Sequence, residues 1–130
     1  MRKILIDTNI YSAFKRNETT IVHKFRHVDY IAIDITVYAE LLSGFKPGSR
    51  TKKNIQELEE FINTPRVDLL THTIHTAEFY SNIFKELKLA GKPIPTNDIW
   101  IAATAMEHGL ALLSLDKHFK HIPGLLIKHM

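Results

Sequence analysis

The stretch that decides the fold is KILIDTN, residues 3–9 of a chain of 130 residues. Its apolar run is short and does not alternate with polar residues, which is typical of a parallel strand covered on both faces. Asp7 ends the run, and a carboxylate at such a position can cap a following helix. The stretch therefore predicts a central strand with an acidic side chain at its carboxyl end.

Similar apolar runs occur along the rest of the chain, and helical patterns separate them. The runs predict strands at residues 30–33, 66–69 and 110–113, with a weaker fifth at 125–127. Strands that alternate with helices predict βαβ crossovers, and hence a parallel sheet of four to five strands with helices on both sides. Ligands of such sheets collect outside the carboxyl ends of the strands.

The predicted helices are marked by apolar periodicity and by residues that end helices. Apolar residues between 77 and 87 recur at helical spacing before Gly91 and Pro93, and a second such segment ends before Pro65. The segment after Pro95 is expected to be capped by Thr96 or Asn97 and ended by a C-terminal glycine. These patterns place Glu40 and Asp98 on helices, the latter in a first turn.

Composition limits the class of protein. A chain of this length fits one domain, spanning residues 1–130, and its apolar content of 45% is typical of globular proteins. The chain contains no cysteine, no apolar run long enough for a membrane span and no sustained signal-peptide core. We therefore expect a soluble, cytoplasmic protein, and its net charge of +3 allows a nucleic-acid partner.

Four acidic residues stand where such a fold can bring them together. Each alone has an ordinary explanation as a helix cap or a solvated surface group. Together they follow strands or lie near helix starts, so a parallel fold places all of them at one rim. Converging carboxylates repel each other unless a cation neutralises them, and oxygen ligands favour Mg²⁺ or Mn²⁺. These residues are Asp7, Glu40, Asp98 and Asp116.

Other sites are less well supported by the sequence. The histidine pairs His72/His75 and His118/His121 invite a zinc interpretation, but neither pair has an obvious third ligand. The chain has no Gly-rich loop of the kind that cradles nucleoside triphosphates. Basic residues on early helices could guide RNA or could simply be solvated.

Four sequence blocks carry a family resemblance: LIDTN at 5–9, AELLSG at 39–44, NDIWIAATA at 97–105 and LSLDKHF at 113–119. Together they resemble the PIN-domain ribonucleases, in particular the VapC-like toxins of type II toxin–antitoxin pairs. The resemblance implies an α/β fold, a three-layer α/β/α sandwich. It also implies a Mg²⁺- or Mn²⁺-dependent endoribonuclease, a cognate antitoxin as partner and a homodimer.

The resemblance also assigns roles to individual residues. The acidic positions of the family fall on the four acids already named, as metal ligands and catalytic residues. Its small polar positions fall on Thr8, Asn9 and Ser114, which would orient carboxylates or water, with helix capping as the alternative. Ser114 stands where threonine is common. Asp34 is an additional acid that could be a peripheral ligand or a cap, and we interpret it as a cap.

The mechanism expected from these residues is hydrolysis of RNA by a metal-activated water, which leaves 5′-phosphate and 3′-hydroxyl ends. In this hypothesis Asp7 and Asp98 are the principal ligands. One alternative is a haloacid-dehalogenase-like phosphatase, but that chemistry needs a second aspartate where Asn9 stands. The other is a non-catalytic module that binds nucleic acid or protein and whose acids only cap helices.

Overall fold

The first apolar run forms the central strand of a five-stranded parallel sheet, as predicted. The computed structural model describes residues 2–128. Helices cover both faces of the sheet, so the expected three-layer α/β/α architecture is confirmed. The strands lie in the order β3-β2-β1-β4-β5, and all neighbouring pairs are parallel. They are β1 (Lys3–Ile6), β2 (Tyr30–Asp34), β3 (Val67–Leu70), β4 (Ala111–Leu113) and β5 (Ile127–Lys128).

Within residues 2–128, six α-helices and one 3₁₀-helix connect the strands. The segments expected to be helical around Glu40, before Pro65, before Gly91 and after Pro95 are all helical. The helices are α1 (Thr8–Lys15), α2 (Thr19–Arg26), α3 (Ile35–Phe45), α4 (Thr51–Ile62), α5 (Ile74–Leu89), α6 (Thr96–His108) and the 3₁₀-helix Lys117–His121. No helix within residues 2–128 is both long enough and apolar enough to span a membrane.

The strand register places the ends of three strands at one edge of the sheet. Ile6 of β1 lies opposite Ile33 of β2 and Leu113 of β4. The residue that follows each of these three positions in the sequence is polar: Asp7, Asp34 and Ser114. Because the three strands run in the same direction, these side chains collect at the carboxyl edge.

The core fixes this register. The central strands are apolar on both faces, and Leu5 and Leu112 are fully buried. A slip of one residue would exchange the faces to which all side chains of a strand point. It would also draw the polar residue that follows the strand, such as Asp7, into the apolar core, and this cost holds the edge residues in place.

Several predictions of element ends were wrong, among them the ends of β2, β3 and β4, each by one residue. Neither Thr96 nor Asn97 caps α6, because the helix already includes both residues; Pro95 precedes it, and its carbonyl accepts hydrogen bonds from the N–H groups of Asp98 and Ile99. The last strand begins at Ile127 rather than at 125, because Ile127 is the first residue paired with β4.

Candidate active site

Three side chains form the tightest ligand-like group at the carboxyl edge. Asp98 lies in the first turn of α6, while Asp116 caps the 3₁₀-helix that contains His118. One ligand atom of each lies within 4.8 Å of the others. Nδ1 of His118 is 3.3 Å from Oδ2 of Asp98 and 3.1 Å from Oδ1 of Asp116. Two carboxylates and an imidazole thus converge from two separate segments.

Asp7 lies at the buried side of this group. Its side chain caps α1, because Oδ1 accepts a hydrogen bond of 3.1 Å from the Ile10 N–H. Its other oxygen, Oδ2, accepts a hydrogen bond from the Ser114 hydroxyl. That hydroxyl in turn accepts a hydrogen bond of 2.9 Å from the Asp116 N–H. Asp7 is therefore both a cap and a member of the site, which sequence reasoning treated as alternatives.

Glu40 approaches the site from α3. The Thr8 hydroxyl donates a hydrogen bond of 2.6 Å to its Oε1, and the Asn97 amide donates one of 3.4 Å to Oε2. Glu40 is thereby held between the first turns of α1 and α6. It is not part of the group formed by Asp98, Asp116 and His118, although its charge acts on Asp98.

Burial and neighbouring negative charge raise the pKa values of Asp7 and Asp98. Burial raises the pKa of Asp7 above its ordinary value; hydrogen bonds from Ser114 and Ile10 oppose this, and the charges of Asp116 and Asp98 add to it. Burial also raises the pKa of Asp98, with further increases from Asp116 and Glu40 and an opposing effect of His118. A raised carboxyl pKa means that negative charge at this edge lacks compensation. A bound cation would supply that compensation.

The donor set fits a divalent cation. Carboxylate oxygens are ligands that Mg²⁺ and Mn²⁺ accept, and a single imidazole among them is compatible with Mn²⁺. The structure brings Asp98 and Asp116 into one candidate group and places Asp7 and Glu40 beside it. All four predicted acids therefore lie at one rim, as the parallel fold required.

The predicted supporting residues differ in their contacts. Thr8 and Ser114 each donate to a carboxylate of the site. The Asn9 side chain is exposed and makes no hydrogen bond with the residues that the structure describes, so its role stays a prediction. Asp34 caps α3 and is fully buried away from solvent, which confirms its interpretation as a cap.

His118 and Asn97 are members of the site that sequence reasoning did not assign to it. His118 was considered as half of a zinc pair with His121. One signal in the sequence was available: His118 lies two residues after Asp116, an acid that follows a strand. Such an acid can cap a short helix, and the first residues of that helix then lie close to the site. Asn97 was considered only as a cap and instead contacts Glu40.

Comparison with known proteins agrees with this geometry. The PIN domain family profile matches residues 4–125. The chain therefore belongs to the PIN-domain family. Within that family it is similar to Ribonuclease VapC2 of Haemophilus influenzae, with 34% identity over 116 residues that cover 88% of this chain and 86% of the relative. It is also similar to Ribonuclease VapC1 of Rickettsia felis, with 33% identity and coverage of 94% and 92%.

Solved structures support the same assignment of the fold. The VapBC2 complex of Rickettsia felis, bound to a promoter DNA fragment, contains a chain with a TM-score of 0.87 and 25% identity, covering 97% of both chains. The DNA-bound VapBC complex of Salmonella typhimurium gives a TM-score of 0.87 with 27% identity, covering 98% of both chains. The recognition of a VapC-like PIN domain from sequence blocks is confirmed.

Proposed function

We propose that this protein is a metal-dependent endoribonuclease and the toxin of a toxin–antitoxin pair. The observation that carries the proposal is the convergence of Asp98, Asp116 and His118 beside the buried Asp7, in a chain of the PIN-domain family. Relatives that share most of its length are named ribonucleases. The uncompensated carboxylates give a physical reason for a cation at this edge.

Asp7 and Asp98 would be the principal ligands of Mg²⁺ or Mn²⁺, with Glu40 and Asp116 completing the set directly or through water. When bound, the cation would make a water more acidic and offset negative charge at the phosphate. Ser114 holds Asp7 in place by a hydrogen bond. Thr8 holds Glu40 in the same way. Side chains restrained in this manner need less reorganisation when substrate arrives.

The products identify the mechanism. Attack by water leaves 5′-phosphate and 3′-hydroxyl ends, whereas attack by the ribose 2′-hydroxyl leaves a 2′,3′-cyclic phosphate. Purified protein would be incubated with total RNA and Mn²⁺ or Mg²⁺, and the new 5′ ends would be sequenced with and without a prior kinase step. We expect ends that ligate without the kinase step; cyclic phosphate products would overturn the mechanism.

The variant that tests the site is Asp7→Asn. Asparagine caps helices as well as aspartate does, so α1 is retained while the charge is lost. We expect cleavage to fall by at least about 100-fold with an unchanged circular dichroism spectrum. Glu78→Gln, on the exposed side of α5, is the matched control and should cleave like the wild type. Full activity of Asp7→Asn would reject the assigned ligand role.

The same incubation separates the alternatives. A phosphatase would release phosphate from monoesters and leave RNA chains intact, and a non-catalytic module would bind RNA or protein without cutting. Only a nuclease produces new internal ends that depend on both the cation and Asp7.

We propose in addition that the protein has a cognate antitoxin, forms a homodimer and acts in the cytoplasm. The structural neighbours named VapBC support a toxin–antitoxin arrangement. Exposed apolar side chains on α5, including Phe84 and Leu89, are compatible with a protein contact. Co-purification with a co-expressed antitoxin, loss of nuclease activity in that complex and sedimentation at twice the monomer mass are the expected results.

A further inference from the structure

A cavity of about 600 Å³ opens next to Glu40, and neither Asp116 nor His118 is among its described lining residues. Glu40 and Asn97 line it and also contact each other at the site. The cavity therefore borders the candidate active site at Glu40. Its size is within the range of small-molecule sites in proteins, roughly 300–1,000 Å³.

Two aromatic rings form one wall of this cavity. The rings of His72 and Trp100 stack with their centroids 4.4 Å apart and an angle of 13° between their planes. Tyr80 of α5 supports Trp100, with centroids 4.2 Å apart. The wall is thus a packed arrangement rather than two free side chains.

The His72 ring is fixed by a buried carboxylate. Asp34 is fully buried, and its oxygens lie 2.8 Å and 3.0 Å from Nε2 of His72. The Thr104 hydroxyl and the Thr36 N–H also donate to Asp34, at 2.6 Å and 2.9 Å. The second ring nitrogen, Nδ1, has no hydrogen-bonding partner among residues 2–128. A polar ring atom thus remains available at a rigid position.

The rest of the lining indicates which kind of group fits. Ile35 and Ala39 contribute apolar surface, while Thr36 and Ser43 contribute hydroxyl groups. Neither lysine nor arginine is among the described lining residues, so the cavity does not suit a phosphate. Apolar walls with a few hydrogen-bonding groups match a nucleobase, which has flat apolar faces and a polar edge.

We propose that this cavity binds the base of a nucleotide that flanks the cleaved phosphodiester, with His72 and Trp100 as its aromatic wall. The proposal rests on the endoribonuclease function proposed above, and it adds a base-binding subsite. The subsite would select RNA in which that base is unpaired, because a base inside a duplex cannot enter a side cavity.

Trp100 is the only tryptophan of the chain, so tryptophan fluorescence reports on the surroundings of this ring at the cavity wall. Single-stranded RNA hexamers of each base would be titrated into the wild-type protein with Ca²⁺ as counter-ion, excited at a wavelength selective for tryptophan. An abasic ribose-phosphate hexamer is the matched ligand, and free tryptophan corrects for absorption by RNA. We expect at least one base-containing hexamer, but not the abasic one, to change the fluorescence with saturation.

Two variants locate the effect. His72→Ala removes half of the aromatic wall, and we expect a roughly fivefold or larger loss of hexamer affinity. His75→Ala changes a histidine that does not line the cavity and should bind like the wild type. Ser43→Leu fills the cavity from an exposed position of α3, so weak binding by this variant supports the subsite even if His72→Ala fails to fold.

The outcomes separate this subsite from the nuclease function. Base-dependent quenching without RNA cleavage under any divalent cation would leave the subsite standing and reject the nuclease. If the protein cleaves RNA but binds hexamers equally well with and without bases, the subsite is overturned and the nuclease function stands. The same holds if it cleaves RNA and the hexamers leave Trp100 fluorescence unchanged. Wild-type affinity in both His72→Ala and Ser43→Leu would also overturn it.

Discussion

The hydroxyl of Ser114 donates a hydrogen bond to the carboxylate of Asp7, although 107 residues separate the two in the sequence. The two residues directly follow β1 and β4, which are paired in register as neighbours. The same hydroxyl accepts a hydrogen bond from the Asp116 N–H. One small side chain therefore connects the buried acid with the acid of the 3₁₀-helix.

Ser114→Ala is expected to reduce both nuclease activity and stability. Without the hydroxyl, Asp7 loses a donor that lowers its pKa, so its pKa should rise further. A buried acceptor left without its partner costs about 1–3 kcal/mol. Denaturant unfolding and cleavage rates measure the two effects. Ser114→Thr is the matched control, since it keeps the hydroxyl; equal loss in both variants would contradict the role of this hydrogen bond.

The free energy of unfolding of the metal-free protein is expected to fall as pH rises above the ordinary pKa of an aspartate side chain. Asp7 and Asp98 have raised pKa values in the folded state. Between the unfolded pKa, about 3.9, and the raised folded pKa, the folded state binds more protons than the unfolded state. The free energy of unfolding therefore falls through that window and remains lower above it. Urea unfolding in EDTA across pH 4–8 measures this dependence.

Asp98→Asn tests the cause of that dependence. The variant lacks the charge that burial and the neighbouring acids disfavour, so at pH 7 in EDTA it should be more stable than the wild type. The lost helix-dipole interaction, about 0.3–1 kcal/mol, opposes this gain. Mg²⁺ at 100 times its dissociation constant should stabilise the wild type by about 2.7 kcal/mol and the variant by much less. A variant less stable than the wild type in EDTA would contradict the prediction.

His118→Gln is expected to weaken binding of Mn²⁺ more than binding of Mg²⁺. Imidazole is a better ligand for transition metals than for Mg²⁺, and His118 lies within reach of both Asp98 and Asp116. We expect an approximately tenfold loss of Mn²⁺ affinity, measured by calorimetry. His121→Gln, on the same 3₁₀-helix but outside the candidate group, is the control. An equal loss of affinity for both cations would contradict a role of His118 as a direct ligand and would mean that it affects binding only through Asp98 and Asp116.

Much of the site was predictable because it depends on strand ends. Parallel strands whose ends are in register bring the residues that follow them to one edge, so Asp7 and Asp116, which follow apolar runs, could be placed at the same edge from those runs. Glu40 and Asp98 required only that their helices start at that edge. The local pattern was sufficient because a slip of one residue would draw the polar residue after each strand into the apolar core.

The remaining contacts depend on side-chain geometry that no local pattern encodes. Asp34 joins His72 and Thr104, which are 38 and 70 residues away. His118 reaches Asp98 because a 3₁₀-helix follows Asp116, and a five-residue helix has too few residues to show a periodicity. The start of the last strand was predicted too early in the sequence. Its pairing with β4, and not its own hydrophobicity, determines where it begins.

Gly109→Ala and Gly44→Ala are expected to change stability in opposite directions. Gly109 ends α6 with a φ of +65°, and an added Cβ meets no atom within 4 Å, so the cost is conformational and about 1 kcal/mol. Gly44 lies within α3 without a positive φ, and its Cβ would also meet nothing within 4 Å. Alanine there should stabilise the helix by about 0.5–1 kcal/mol, because glycine loses more backbone entropy on folding. Urea unfolding measures the free energy of unfolding of both variants. Destabilisation of equal size in the two would contradict the assignment of the cost at Gly109 to its positive φ.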